Sequence, residues 1–341
     1  MGGSAFFFTQ SRESTMKAIL IDKPGNEEVL KLDDFTDPVP GLADLLINVR
    51  CAGINRADLM QRQGFYPPPP GASPILGLEC AGSVAAVGNE VKGWRVGDRA
   101  MALLPGGGYA EKAIVHYGSA MHVPSVLTDE EAAAVPEVYL TAFSNLFMLA
   151  EVRAGEVVLI HGGGSGIGTA SIQLLNLVGA RSIVTAGSDA KCEQCLKFGA
   201  GVAINYNSGP FAPKVKAATN NRGADVILDS IAGAYLMPNI EALAQGGRLV
   251  LIGLMKGATS EIDLSQVLRR HLKIFGSTLR TRSTTEKAQI ISAFQARFGR
   301  ELEAGAIRPP IYRTLPMAKA STAHRMMLAS EHFGKIVLKV G

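Results

Sequence analysis

The segment VVLIHGGGSGIGTASIQLL (157–175) constrains the fold of this chain more than any other stretch. An apolar strand runs into a glycine-dense turn and out into a helix. Glycines 162, 163, 164, 166 and 168 leave backbone N–H groups unscreened, and the helix behind them offers its positive end. With Ser165 and Ile167 in the same loop, that is a cradle suited to a pyrophosphate. Strict G-x-G-x-x-G spacing is absent in this register, so a tight turn without ligand remains the alternative on the motif alone. The context favours the cradle. Strands read at 157–162, 182–187, 203–206, 225–233 and 247–254 alternate with helices at 169–180, 189–200, around 209–221 and up to about 244. This order predicts an α/β fold, a doubly wound parallel sheet covered on both faces.

The end of the second strand decides which dinucleotide fits. An NAD site needs a carboxylate there for the ribose 2′-hydroxyl. This strand ends TAGS, with Gly187 and Ser188 at that place and Lys191 one turn along. Without a carboxylate a 2′-phosphate is not repelled, and Ser188 and Lys191 are able to donate to it. NADPH is therefore the expected cofactor. Asp189 would become the ribose acid if the register were slightly shifted, and Lys191 could equally be a solvated helix lysine.

Residues 16–135 differ in texture, with short apolar runs such as DLLINVRCAGI (44–54) and ECAGSVAAVG (79–88) broken by Gly and Pro. They read as a small, mostly β barrel or sandwich. Helical periodicity covers 129–150, with Thr128 as N-cap. After a long helix at 284–304 and another near 317–331, the strand KIVLKV (335–340) suits the barrel better than the α/β block. The expected division is an extension at 1–15, a catalytic domain at 16–136 and 283–341, and a cofactor domain at 137–282. The 38 glycines in 341 residues, well above the usual ~7%, carry no G-X-Y period and so mark tight turns.

A formal charge of +4 is too mild for a dedicated nucleic-acid protein, so nucleic acid is an unlikely partner. Four cysteines make no disulfide framework, which predicts a reducing compartment, the cytoplasm. No membrane span is expected, for no run of apolar residues is long enough. The first fifteen residues suit neither a secretory signal nor a myristoylation site, leaving an extra arm, an appended segment or a transit peptide. Cys192 and Cys195 lie within a predicted helix, on its apolar face, and read as a buried structural pair. The basic tract Arg269, Arg270, His271, Lys273, Arg280 and Arg282 reads as a solvated face or as an aid in steering an anionic cofactor.

CAGINRADLMQRQGFYPPPPGASPILGLECAG (51–82) and LPGGGYAE (104–111), with LTAF (140–143), the glycine loop and GKIVL (334–338), resemble the medium-chain dehydrogenase/reductase superfamily. Within it they are similar to the zinc-free quinone oxidoreductases related to zeta-crystallin, from Met16 to the end of the chain. The resemblance implies a GroES-like catalytic domain beside a Rossmann domain, NADPH, a quinone as small-molecule substrate, and a homodimer joined through the sheet edge. Zinc enzymes of the superfamily use a Cys and the His of a GHE segment. Here those places hold Asn55 and Leu78, which cannot replace thiolate and imidazole, so no metal is expected.

Around that emptied pocket stand Asn55, Arg56 and Asp58. Asn55 is suited to meet a carbonyl oxygen, and Arg56 either to stabilise developing charge or simply to pair with Asp58. Tyr66, before Pro67–Pro70, matches a substrate tyrosine of the family, with surface packing as the other reading. The resemblance also implies cofactor contacts from Thr141 at the nicotinamide, Tyr206 at the adenosine ribose, Gly253, Leu254 and Met255 as a wall, and Leu279 and Arg280 as a cap. Lys335 is either a site residue or only the start of a strand. The expected activity is zinc-independent transfer from NADPH to ortho- or para-quinones. Reduction of a 2-enone or enoyl thioester is the alternative, and an NADPH- and RNA-binding protein like zeta-crystallin a more distant one.

Overall fold

The structure, a computed structural model, describes residues 14–341, so almost all of the expected extension at 1–15 lies outside the described residues. Six strands form one parallel sheet in the spatial order Val202–Asn205, Arg181–Ala186, Val157–His161, Ala224–Asp229, Leu243–Leu251 and Lys273–Gly276. Val157–His161 is buried at every position, as a strand between two helical layers must be. The strand order reverses between Val157–His161 and Ala224–Asp229, which opens a crevice beyond their carboxyl ends. The glycine loop leaves the sheet at that crevice.

A second sheet of seven strands is built from both ends of the chain. Lys335–Lys339 pairs antiparallel with Asp44–Gly53, Val337 lying opposite Gly53, and parallel with Ile311–Pro316. Asp44–Gly53 alternates buried and open positions along its first half, as expected of a strand with one face on a core. The hairpin of Thr15–Leu20 and Lys31–Thr36 closes one side, beginning one residue before the expected Met16. The α/β strands thus come from one continuous stretch, with barrel strands before and after it.

Two local expectations are corrected. The single helix read across 129–150 is broken into Asp129–Ala132, Pro136–Phe143 and a wider π turn at Ser144–Leu149. Pro136 has no amide to continue the first piece and takes the first position of the second. The tract at 269–273 is not simply a solvated face. It ends the helix Leu264–Arg270 and starts the edge strand Lys273–Gly276, and Arg270 Nη1 donates to the Ile240 carbonyl at 2.7 Å. The long helix Thr284–Glu303 starts where a reciprocal Ser283–Glu286 cap satisfies its first amides. Cys192 and Cys195 are buried and free, their thiols pushed up by burial. Among the described residues no helix is long and apolar enough to cross a membrane.

The barrel core encloses a polar relay. The Tyr109 hydroxyl donates to Asp58 Oδ2 at 3.0 Å and lies 3.2 Å from His324 Nε2, while Arg62 Nη1 stands 3.3 Å from His324 Nδ1. With Arg62 donating to Nδ1, the imidazole proton sits on Nε2 and faces the Tyr109 oxygen. Burial, then the Arg62 charge, push His324 down to about 3. The unfolded chain takes up a proton on this imidazole near pH ~6.5 while the folded one stays neutral. His324 therefore stabilises the fold above that pH, and this contribution is lost on acidification at up to about 1.4 kcal/mol per pH unit. Asp58, raised to about 6 by its burial, works in the opposite sense. Denaturant unfolding at several acidic pH values should accordingly show a shallower acid loss in His324→Gln than in the wild type. Equal slopes would show that His324 does not set the acid limit of the fold.

Candidate active-site cleft

The cleft lies where the seven-stranded sheet meets the glycine loop. Pairing of Lys335–Lys339 beside Asp44–Gly53 brings Lys335 against the turn at Ile54 and Asn55. Its ammonium, almost fully buried, donates to Ile54 O at 2.8 Å, Asn55 Oδ1 at 2.7 Å and Glu79 Oε1 at 2.6 Å. Asn55 Nδ2 donates to the same Glu79 oxygen at 2.9 Å, and the other Glu79 oxygen accepts the Glu137 amide at 2.8 Å. A buried carboxylate therefore carries one ammonium and two neutral donors. The second hydrogen of the Asn55 amide has no partner among the described residues.

Asp58 does not face the cleft with Asn55. Its Oδ2 accepts the Asn55 amide and the Tyr109 hydroxyl, its Oδ1 accepts the Gly77 amide, and it is 1% exposed. The expectation that it handles substrate is corrected: it caps a helix and holds the barrel. Arg56 is exposed and forms no ion pair with Asp58. Tyr66 is half-buried in the proline loop, with the Arg280 guanidinium 5.1 Å from its ring centre. Burial above all raises the phenol, so it stays protonated.

Arg280 departs from the role implied for it. Its Nε donates to Pro105 O at 2.8 Å, Nη1 to Tyr66 O at 3.1 Å and Nη2 to Gln61 Oε1 at 2.7 Å. The guanidinium reaches from the end of the α/β segment into the barrel, and it holds the Tyr66 loop rather than capping a nucleotide. Lys287 Nζ in turn donates to Arg280 O at 2.8 Å. Leu279 beside it is buried in the core.

At the glycine loop, Ser165 caps the helix Gly166–Leu177 by accepting the Gly168 amide at 3.0 Å. Among the described residues the amides of Gly164, Gly166 and Ile167 find no main-chain partner. A Cβ at Gly163 would stand 2.6 Å from Val184, and one at Gly166 would stand 2.6 Å from the Lys335 stem, so the loop is pressed against the sheet and the cleft wall. Ser188 caps the helix Asp189–Lys197 by accepting the Lys191 amide at 3.2 Å. The Asp189 carboxylate is held by Asn205 Nδ2 at 2.8 Å. Tyr206 is exposed with its hydroxyl against Gly187, and Lys191 spans the loop mouth to donate to the Ser330 carbonyl. Gly253 leads into exposed Leu254 and Met255 past the sheet's carboxyl edge, while Thr141 is buried on the helix Pro136–Phe143.

Sequence reasoning left out Glu79, Gln61, Glu137 and Lys287, all now at this cleft. Only Glu79 had a local signal, in its place directly after Leu78.

Family patterns match two parts of the chain: the alcohol dehydrogenase GroES-like domain over residues 41–125 and the zinc-binding dehydrogenase over residues 166–294. The quinone oxidoreductase of Lama guanicoe is 33% identical over 326 residues, covering 95% of this chain and 97% of that protein. A mycobacterial protein solved in complex with NADPH superposes with a TM-score of 0.86 at 28% identity, covering 95% of this chain and 100% of that one. The CurK enoyl reductase gives a TM-score of 0.83 at 26% identity, covering 96% of this chain and 100% of that one.

Proposed function

This chain belongs to the medium-chain dehydrogenase/reductase superfamily, and from that membership we propose that it is an NADPH-dependent, zinc-independent reductase of quinones. The observation that carries the reading is the donor set at Glu79. Where a metal-dependent relative needs thiolate and imidazole, this chain has Leu78, an Asn55 amide turned to Glu79, and the Lys335 ammonium, which has no lone pair to give. Among the described residues no group of three or more His, Cys, Asp or Glu stands together to hold a metal. These residues do not fit zinc.

They do fit the dinucleotide. The unpartnered amides of Gly164, Gly166 and Ile167 suit its pyrophosphate, and Ser188, Lys191 and Tyr206 suit a phosphorylated adenosine ribose. Asp189, turned to Asn205, does not oppose that phosphate directly. Gly253, Leu254 and Met255 offer an apolar wall, and Thr141 a hydroxyl, on the nicotinamide side. Bound there, NADPH supplies a hydride. The chain's own part is to position the acceptor. The free Asn55 hydrogen is available to a carbonyl oxygen, the buried Lys335 charge lowers the cost of developing anion nearby, and Tyr66 offers its ring. A quinone, whose reduced anion is spread over a ring, needs no stronger electrophile.

Activated alkenes form a second reading, supported by the likeness to an enoyl reductase and by the protonated Tyr66 phenol. Loss of NADPH absorbance with ortho-quinones, para-quinones and 2-enones tests both, with NADH run in parallel. Quinone turnover and an NADPH affinity at least ~10-fold above that for NADH are expected. Tyr66→Phe should lower enone reduction far more than quinone reduction if the phenol donates a proton to alkenes. Preference for NADH would sink the cofactor reading, and silence across the quinones would sink the substrate reading. We further assign the chain to the cytoplasm, where four free thiols persist, and to a homodimer through the edge strand Lys273–Gly276, beside which Leu264 and Leu268 lie exposed.

A further inference from the structure

Glu137 stands at the cleft, apart from the roles of Asn55, Lys335 and Tyr66. It lies in the first turn of the helix Pro136–Phe143, and Thr141 follows one turn later on the same face. Its amide is anchored on Glu79, the carboxylate that also takes Asn55 and Lys335. Its side chain is half-buried, and among the described residues its carboxyl makes no hydrogen bond and no ion pair.

Charged and titratable groups face Glu137 from each element around it. Glu79 and Asp58 belong to the barrel wall, Lys335 to the C-terminal strand, Tyr66 to the proline loop, and Arg280 and Lys287 to the segment around the start of Thr284–Glu303. None of the cations neutralises it by contact. Arg280 gives its nitrogens to Pro105, Gln61 and Tyr66, Lys287 gives its ammonium to Arg280, and Lys335 serves Glu79, Asn55 and Ile54. Burial first, and the Glu79 charge second, push the Glu137 carboxyl up to about 8, so at neutral pH it keeps its proton. A protonated, unpaired carboxyl near Tyr66, on a residue whose amide shares Glu79 with Asn55, suits a general acid.

Resting on the reductase reading, we propose that Glu137 delivers the proton that completes reduction of the bound acceptor. Hydride reduction gives a quinone two electrons and one hydrogen and leaves a negative charge on one oxygen. The Glu137 O–H bond then breaks, a new O–H bond forms at that oxygen, and the carboxylate recovers a proton from water. The dihydronicotinamide is oxidised, the quinone is reduced, and Glu137 ends as it began.

Glu137→Gln keeps the size of the group and removes its acid. In the wild type, kcat for a quinone should fall as pH rises through about 8. In the variant, kcat should be about 10–100-fold lower without that fall, and NADPH affinity should be unchanged. An independent readout needs no turnover. Infrared spectra of the cofactor-free wild type should contain a protonated-carboxyl band at neutral pH that vanishes in alkaline buffer and is missing from Glu137→Gln. An unchanged kcat and pH profile in the variant, or no such band, overturns the assignment while the reductase reading stands. A wild type that reduces no quinone overturns both.

Discussion

Lys335→Met is expected to destabilise the fold by about 3–5 kcal/mol, the usual cost of leaving one half of a buried ion pair alone. Glu79 is fully buried, and the Lys335 ammonium at 2.6 Å is its only ion-pair partner among the described residues. Methionine fills much the same volume, so the loss isolates the charge from the packing. Asn55 Nδ2 and the Glu137 amide would remain on Glu79, two neutral donors for a carboxylate taken out of water. The relevant measurement is denaturant unfolding of Lys335→Met, Glu79→Gln and the double variant. The double variant should recover much of the stability lost by Lys335→Met, because no unpaired charge is then left. A single variant within about 1 kcal/mol of wild type would mean that the pair does not carry this part of the fold.

Gly168→Ala should remove NADPH binding while leaving the chain folded. A Cβ there would stand 2.3 Å from Gly162 O and 2.6 Å from Gly163 O, both main-chain atoms with no rotamer to yield. The loop must move relative to the first turn of the helix Gly166–Leu177, which parts the Gly164 amide from those of Gly166 and Ile167. A displacement near 1 Å in such a cradle can cost about 100-fold. Fluorescence titration with NADPH measures that loss, and the far-ultraviolet circular dichroism spectrum checks that the fold persists. Affinity equal to wild type would exclude this loop as the pyrophosphate site. The two substitutions are complementary, since Lys335→Met acts on stability across the chain and Gly168→Ala on a local surface.

Much of the α/β architecture was legible because its signals are local. A fully apolar strand, a glycine turn and a helix start follow one another within 157–175, and the alternation of elements then points to a parallel sheet, whose spatial strand order the structure supplies. Boundaries were less legible. The strand Leu243–Leu251 begins four residues before the expected 247, and the edge strand Lys273–Gly276 lay hidden under its basic residues. Asp58 misled for a different reason. It stands three residues after Asn55, close enough in sequence to suggest a shared pocket, but the helix start turns its carboxylate toward Tyr109 and Gly77. Arg280 misled because resemblance carried over a position without its partners, which here are Gln61, Tyr66 and Pro105.

What the sequence alone determined is the character of single segments: a glycine-dense strand–turn–helix at 157–175, a second strand ending without a carboxylate, and the neutral side chains Asn55 and Leu78. Each depends on residues near one another in the chain, where backbone geometry leaves few choices. Only the tertiary structure decided which charges meet. Lys335 reaches Glu79 across 256 positions, and the half-buried Glu137 carboxyl is raised first by burial and then by the Glu79 charge that the barrel wall sets beside it. Burial and pairing of that kind come from the packing of distant strands, and no local pattern encodes them.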